Sequence, residues 1–304
     1  MNRASLLGTL TLAGAAIAIG LPAVAQAPCD NQQITQGLAV YYRADYAIAA
    51  KLLPACAEKG NVDALFSLGW MNDNGLGVEQ DHAEAARLYG LAADQGDRYA
   101  QNNLGALYQL GEGVERNEAE AVRLYLLAAE QGYDYAMTNL GYMYEAGLGV
   151  EPNIAEAGSW YRRAGHAYED GLNGVPRDLE EAVVWYRYAA RLGDVQSQVR
   201  LGQLFQEGLH GLRPTRQDYA EAVHWYQLAA WEGEALAQAG LAEMYEHGLG
   251  VTQDYVQAYM WYEIAITNGY ALAVSGRTSV TPFISAEQVA EAERLARDWI
   301  AAHV

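Results

Sequence analysis

Along most of the chain apolar residues recur three and four apart, and the spacing comes in repeated blocks. An Asp or Asn followed four residues later by Ala occurs at Asp81/Ala85, Asn117/Ala121, Asn153/Ala157, Asp178/Ala182, Asp218/Ala222 and Asp254/Ala258. Seven and eight residues past each polar residue stand a large apolar side chain and a tyrosine: Leu88-Tyr89, Leu124-Tyr125, Trp160-Tyr161, Trp185-Tyr186, Trp225-Tyr226 and Trp261-Tyr262. Three further on comes alanine again, at Ala92, Ala128, Ala164, Ala189, Ala229 and Ala265. Offsets 4, 7, 8 and 11 share one face of an α-helix. The Asp or Asn is expected to cap that helix, its side chain accepting from an orphan backbone amide, for about 1 kcal/mol. These segments are the B helices.

Upstream of each B helix runs Leu-Gly-x-x-Tyr-x-x-Gly. It reads Leu104-Gly105…Tyr108…Gly111, Leu140-Gly141…Tyr144…Gly147 and Leu201-Gly202…Phe205…Gly208, with weaker copies at Leu68-Gly69 and Leu241-Ala242…Tyr245…Gly248. The inner glycine of this A helix permits close helix contact, and the outer one suits a left-handed C-terminal cap. The turns that follow, Gly-Leu-Gly-Val at Gly75, Gly147 and Gly248 and Gly-Glu-Gly-Val at Gly111, follow a helix and not a strand. A phosphate-binding loop needs the strand, so the nucleotide reading fails.

Taken together, A…LG…Y…G.GV…D…A…WY…AA resembles the Sel1-like repeat family, relatives of the tetratricopeptide solenoids. The resemblance spans residues 64–273. It implies an all-α fold, a right-handed superhelical solenoid of antiparallel helix pairs. It also implies an adaptor or scaffold role, which in bacterial members is often exerted outside the cytoplasm.

The period breaks once. Gly69 to Gly105 and Gly105 to Gly141 are each 36 residues, whereas Gly141 to Gly165 is 24. The missing segment is a B-to-A turn, so one continuous helix is expected over residues 153–170, serving as both third B and fourth A. The irregular stretch, 153–177, is expected to change the direction of winding. A later loop, residues 210–217, is four residues longer than its counterparts.

Both ends of a solenoid need shielding. At the front, residues 29–63 read as a helical hairpin: helices over 34–42 and 45–59, a turn near Ala44, and a bend at Pro54. Cys29 lies 15 residues before that turn and Cys56 12 after it, roughly opposite one another, so the only two cysteines are expected to form a disulfide. At the rear, residues 285–302 form a capping helix with a Ser285/Gln288 capping box and a stripe of Val289, Ala292, Leu295, Ala296 and Trp299. The link over 274–284 is expected to be less regular.

The N-terminus sets the compartment. Arg3, an apolar run over 6–21 and small residues before Pro28 describe a secretory signal peptide over residues 1–25, cut after Ala25 or, alternatively, Ala27. The apolar run is shorter than the ~20 residues a membrane span needs. A periplasmic location is expected, with secretion as the alternative.

Charge narrows the partner. The chain carries a formal charge of −19, with only two lysines, Lys51 and Lys59, and loss of Arg3 takes it one unit lower. Such a surface repels phosphate backbones and anionic headgroups, so neither nucleic acid nor membrane insertion is expected. In helical-hairpin solenoids the A helices line the concave face. Just after the inner glycine these helices carry Trp70, Ala106, Tyr142, Gln203 and Glu243, and three further on Asp73, Gln109, Glu145, Gln206 and Glu246, joined by His166 and Glu169. The predicted partner-binding set is Trp70, Asp73, Tyr142, Glu145, Gln203, Gln206, Glu243 and Glu246, an acidic groove with aromatic anchors. It suits a protein or peptide carrying Lys or Arg, bound by a monomer.

An enzyme reading needs a site. The alternative is a cell-wall hydrolase or ligand-binding protein, β-lactamase-like as linked to cysteine-rich relatives. Ser-x-x-Lys is absent, since Ile48 and Cys56 stand three before the lysines, and His-Glu-x-x-His is absent too. The six histidines, His82, His166, His210, His224, His247 and His303, follow no metal-ligand spacing. Asn72-Asp73-Asn74-Gly75 resembles part of a calcium loop, but Trp70 stands where the first ligand belongs. No catalytic residue, metal or cofactor is expected.

Overall fold

The structure is a computed structural model that describes residues 29–208 and 214–303. The leader with its cleavage site, and residues 209–213 of the longer loop, lie outside the described residues. Every regular element among those described is helical.

The front hairpin is α1 (Asn31–Tyr42), α2 (Tyr46–Leu52) and α3 (Pro54–Ala57). Asp30 caps α1 through Gln33 N, and Ala44 takes a left-handed φ of 63° at the turn. Pro54 does more than bend the second helix: α2 ends at Leu52, and Pro54 opens α3, where its missing N–H costs nothing. Cys29 and Cys56 form the expected disulfide, with their Cα atoms 4.8 Å apart.

Helix pairs follow, A then B: α4 (Val62–Asn74) with α5 (His82–Ala93), and α6 (Arg98–Leu110) with α7 (Glu118–Glu130). After α8 (Asp134–Ala146) comes α9 (Ile154–Asp170), the expected fused helix, uninterrupted over 17 residues. Asn153 caps it by accepting from Glu156 N. Then come α10 (Leu179–Arg191), the pair α11 (Val195–Glu207) and α12 (Arg216–Trp231), and the pair α13 (Ala235–His247) and α14 (Tyr255–Thr267).

Asp81, Asn117, Asp178 and Asp254 cap their B helices as the pattern predicts. Asp218 does not. The preceding segment lets α12 start earlier, Thr215 becomes the cap, and Asp218 closes a reciprocal capping box with it from inside the first turn. The rear also departs from expectation. Residues 274–284 form α15 (Ala273–Val280) and a 3-10 turn, Thr281–Phe283, before α16 (Ala286–His303). Gly276 explains this: a Cβ there would lie 2.3 Å from the Tyr262 ring, so α15 packs on α14 as a shortened further A helix. The Ser285/Gln288 capping box of α16 is present.

The inner glycines act on the tyrosines. A Cβ at Gly69, Gly105, Gly165 or Gly202 would meet the ring of Tyr89, Tyr125, Tyr186 or Tyr226 at 2.5 to 2.9 Å. Tyr89, Tyr125 and Tyr186 are fully buried. The glycine is a slot, and the B-helix ring fills it.

By internal contacts the chain divides into two compact units. One runs to Ala157 and includes Asn173–Val175; the other comprises Gly158–Leu172 and the chain from Pro176. In the first, Arg98 Nη2 donates to the Asn173 carbonyl at 2.7 Å, and a buried amide chain runs Asn139 to Asn102 to Asn103 to the Tyr89 hydroxyl.

Candidate partner-binding surface

The residue four past the inner glycine lies on the glycine's own helical face, and so beside the tyrosine that fills the slot. The structure uses it accordingly. The Tyr125 hydroxyl donates to Gln109 Oε1 at 2.8 Å, Tyr186 to Glu169 Oε2 at 2.6 Å, Tyr226 to Gln206 Oε1 at 2.6 Å and Tyr262 to Glu246 Oε2 at 2.6 Å. Glu246 also accepts from Ser279 at 2.8 Å. Burial pushes all four phenols far above their ordinary range, so they stay protonated donors at physiological pH. Asp73 is buried and lies 2.8 Å from His82 Nδ1. In this row Asp73, Gln206 and Glu246 are partly committed to holding A to B, while Glu145 is exposed.

The row just after the glycine is more open. Tyr142 is half-buried and Glu243 exposed. Gln203 accepts from Arg200 Nη1 at 3.0 Å, and Glu243 Oε2 accepts from Gln206 Nε2 at 3.0 Å. Trp70 is half-buried and serves the front cap, edge-on to Tyr41 and tilted against Tyr46, with centroids 6.1 Å away in both cases. In the first unit the predicted set thus supplies Tyr142 and Glu145 as accessible groups. In the second, a relay from Tyr226 through Gln206 presents Glu243.

The second unit also holds what charge counting missed. Arg200 donates through Nε to both oxygens of Glu169, at 2.9 and 3.2 Å, and through Nη2 as well. Burial works against ionisation of Glu169, but hydrogen bonds from Arg200 and Tyr186 and the Arg200 charge outweigh it and hold the carboxyl below its usual range. His166 Nδ1 lies 2.8 Å from the Tyr186 hydroxyl, whose proton goes to Glu169. Arg177 Nε donates to the Glu169 carbonyl at 3.0 Å. Glu169, Arg177 and Arg200, with Leu179, Leu204 and Glu207, line a cavity of about 720 Å³. The signal was present: Arg200 sits three before Gln203, on one helical face.

No group of three or more His, Cys, Asp or Glu is placed to hold a metal among the described residues. No helix among them is long and apolar enough to cross a membrane.

The sequence profile of the Sel1 repeat matches residues 62–97, 98–133, 134–167, 163–194, 195–233 and 235–270. The third and fourth matches overlap over 163–167, within the fused helix α9. No curated protein matches the chain. Among solved structures, the chain is similar to a Sel1 repeat protein from Oxalobacter formigenes, at 32% identity over 78% of this chain and 97% of that one, with a TM-score of 0.43. It is also similar to c5321, a protective antigen of uropathogenic Escherichia coli with an SLR fold, at 24% identity over 89% and 91% of the two chains, TM-score 0.33. With six matched repeats covering most of its length, the chain belongs to the Sel1 repeat family, a scaffold for protein–protein interaction.

Proposed function

We propose that this scaffold is an exported, periplasmic adaptor that binds a basic segment of a partner protein along its A helices, as a monomer and without catalysis. The carrying observation is the Tyr226–Gln206–Glu243 relay. It fixes an exposed carboxylate by one oxygen, Oε2, and leaves Oε1 for an incoming Lys or Arg. Glu207 beside the Arg200 cavity adds a second carboxylate in the same unit, and Tyr142 with Glu145 offers an aromatic–acid pair in the other. The signal-peptide pattern and the Cys29–Cys56 disulfide support export.

In-cell crosslinking followed by mass spectrometry identifies the partner. Glu243→Lys and Glu145→Lys are then expected to lower its retention about tenfold each, as reversing a charge against a complementary partner surface does, while the melting temperature changes little. Retention unchanged in both variants would reject the A-face reading, and clear nitrocefin turnover would reject the adaptor role itself. Osmotic-shock fractionation tests the compartment separately.

A further inference from the structure

The B helices bury offsets 4, 7, 8 and 11 from the cap and leave offsets 6 and 10 outside. Offset 10 is largely apolar, whereas offset 6 carries Arg87, Arg123, Ser159 and His224 as well as Val184 and Met260. Leu91, Leu127, Tyr188 and Leu228, all at offset 10, are 43%, 38%, 40% and 38% exposed. In the last B helix, α14, the same offsets carry Met260 and Ile264, which are 7% and 0% exposed. The difference is α16, which packs along α14 and sets Trp299 edge-on against Trp261 at 5.4 Å. The molecule therefore contains one worked example of what covers this surface: an amphipathic helix with an inward stripe of Val289, Ala292, Ala296 and Trp299.

The equivalent surface one B helix earlier is open at His224 and Leu228, whereas Trp225 is 5% exposed. His224, Trp225 and Leu228 of α12 stand at the offsets of Met260, Trp261 and Ile264, and with α10 they wall a groove of about 430 Å³. The opposite wall is basic, an exception in so acidic a chain. Arg187 is paired with Glu221 at 3.0 Å, whereas Arg191 is exposed and has no ion-pair partner among the described residues. We propose that this groove between α10 and α12 docks an amphipathic helix of a partner protein, its apolar stripe on Leu228 and an acidic flank toward Arg191. The occupant's chemistry is that of α16, an apolar stripe on a net acidic helix that sets Glu287, Glu291, Glu293 and Asp298 against Arg294 and Arg297, with Glu291 paired to Arg294 and Glu293 to Arg297. This surface is on the B helices and is independent of the A-face carboxylates.

The probe is a fluorescein-labelled peptide of residues 285–303 titrated into the full chain. Saturable binding is expected, weakened about tenfold or more by Leu228→Glu and by Arg191→Glu, and unchanged by Leu110→Glu on α6 of the first unit. Both tested side chains are exposed, and circular dichroism confirms that the variants fold. Absence of saturable binding overturns the proposal. So does binding that survives both groove variants, since the peptide would then be displacing its own α16 from α14. Sedimentation showing a dimer of the chain that Leu228→Glu dissociates would assign the groove to a second copy and overturn it equally.

Discussion

At the scale of single residues, the most consequential contacts are those that spend a polar side chain inside a repeat. Four of the B-helix phenols find an acceptor four residues past an inner glycine or its counterpart, and each such bond is worth about 1 kcal/mol net. Tyr226→Phe is expected to lower stability by about that amount and also to free Gln206, loosening Glu243 and weakening partner retention. Glu169 gives a pH signature. Its carboxyl titrates below the usual value, so its contribution is fully present above about pH 4.5 and is lost as pH falls through the depressed value. Glu169→Gln should cost about 1–3 kcal/mol at neutral pH, discounted because Arg200 is partly solvated, and should flatten the stability profile below pH 4.5. Urea titrations at several pH values check this; an unaltered acid limb would show that the pair contributes nothing. The sequence already held the reason why Asp73, Gln206 and Glu246 are not simply groove residues. Four residues on from a glycine is the glycine's own face, and that face belongs to the tyrosine.

At the scale of elements, what was legible followed from strict spacing, and what was missed followed from a departure in the neighbouring segment. The 24-residue step from Gly141 to Gly165 can only delete a turn, and α9 is the continuous helix that results. Asp218 holds the expected register, but the loop before it leaves Thr215 free to cap, so α12 gains length at its start. α15 was hidden by Gly276 and Pro282, which read as loop residues until Gly276 is seen as the slot for Tyr262. Arg177 sits in the irregular 153–177 stretch, where the repeat offers no register to read its partner from. The front hairpin rests on its staple more than on its helices, since α2 and α3 are only seven and four residues long. Helices this short do not hold in isolation. Cys29→Ser is expected to cost about 3 kcal/mol, because the disulfide closes a long loop in the unfolded chain. The loss should appear as early exchange of amides in α1 to α3, with α6 and α7 retaining protection.

At the scale of the whole molecule, a repeat protein is held by nearest-neighbour terms, so a lesion should stay close to where it is made. Gly113 offers a severe and well-placed lesion. Its φ is +70°, in the left-handed region, and a Cβ there would lie 2.2 Å from the carbonyl carbon and oxygen of His82. Neither the left-handed backbone nor the rigid neighbour can relax cheaply, so Gly113→Ala should destabilise its surroundings by about 2–4 kcal/mol. The turn that carries Gly113 follows α6 and rests on the start of α5, so protection should fall in α5, α6 and α7, all in the first compact unit. Gly250 makes the same approach to Tyr219 in the second unit, at 2.4 Å, so Gly250→Ala should strike α12, α13 and α14 and spare α5 to α7. Hydrogen exchange read by mass spectrometry distinguishes the outcomes. Two separate footprints would show that the units divided within α9 unfold by their own local energetics. A single uniform loss in both variants would show instead that α9 couples them into one cooperative body, because an unbroken helix can transmit a failure that a turn would absorb.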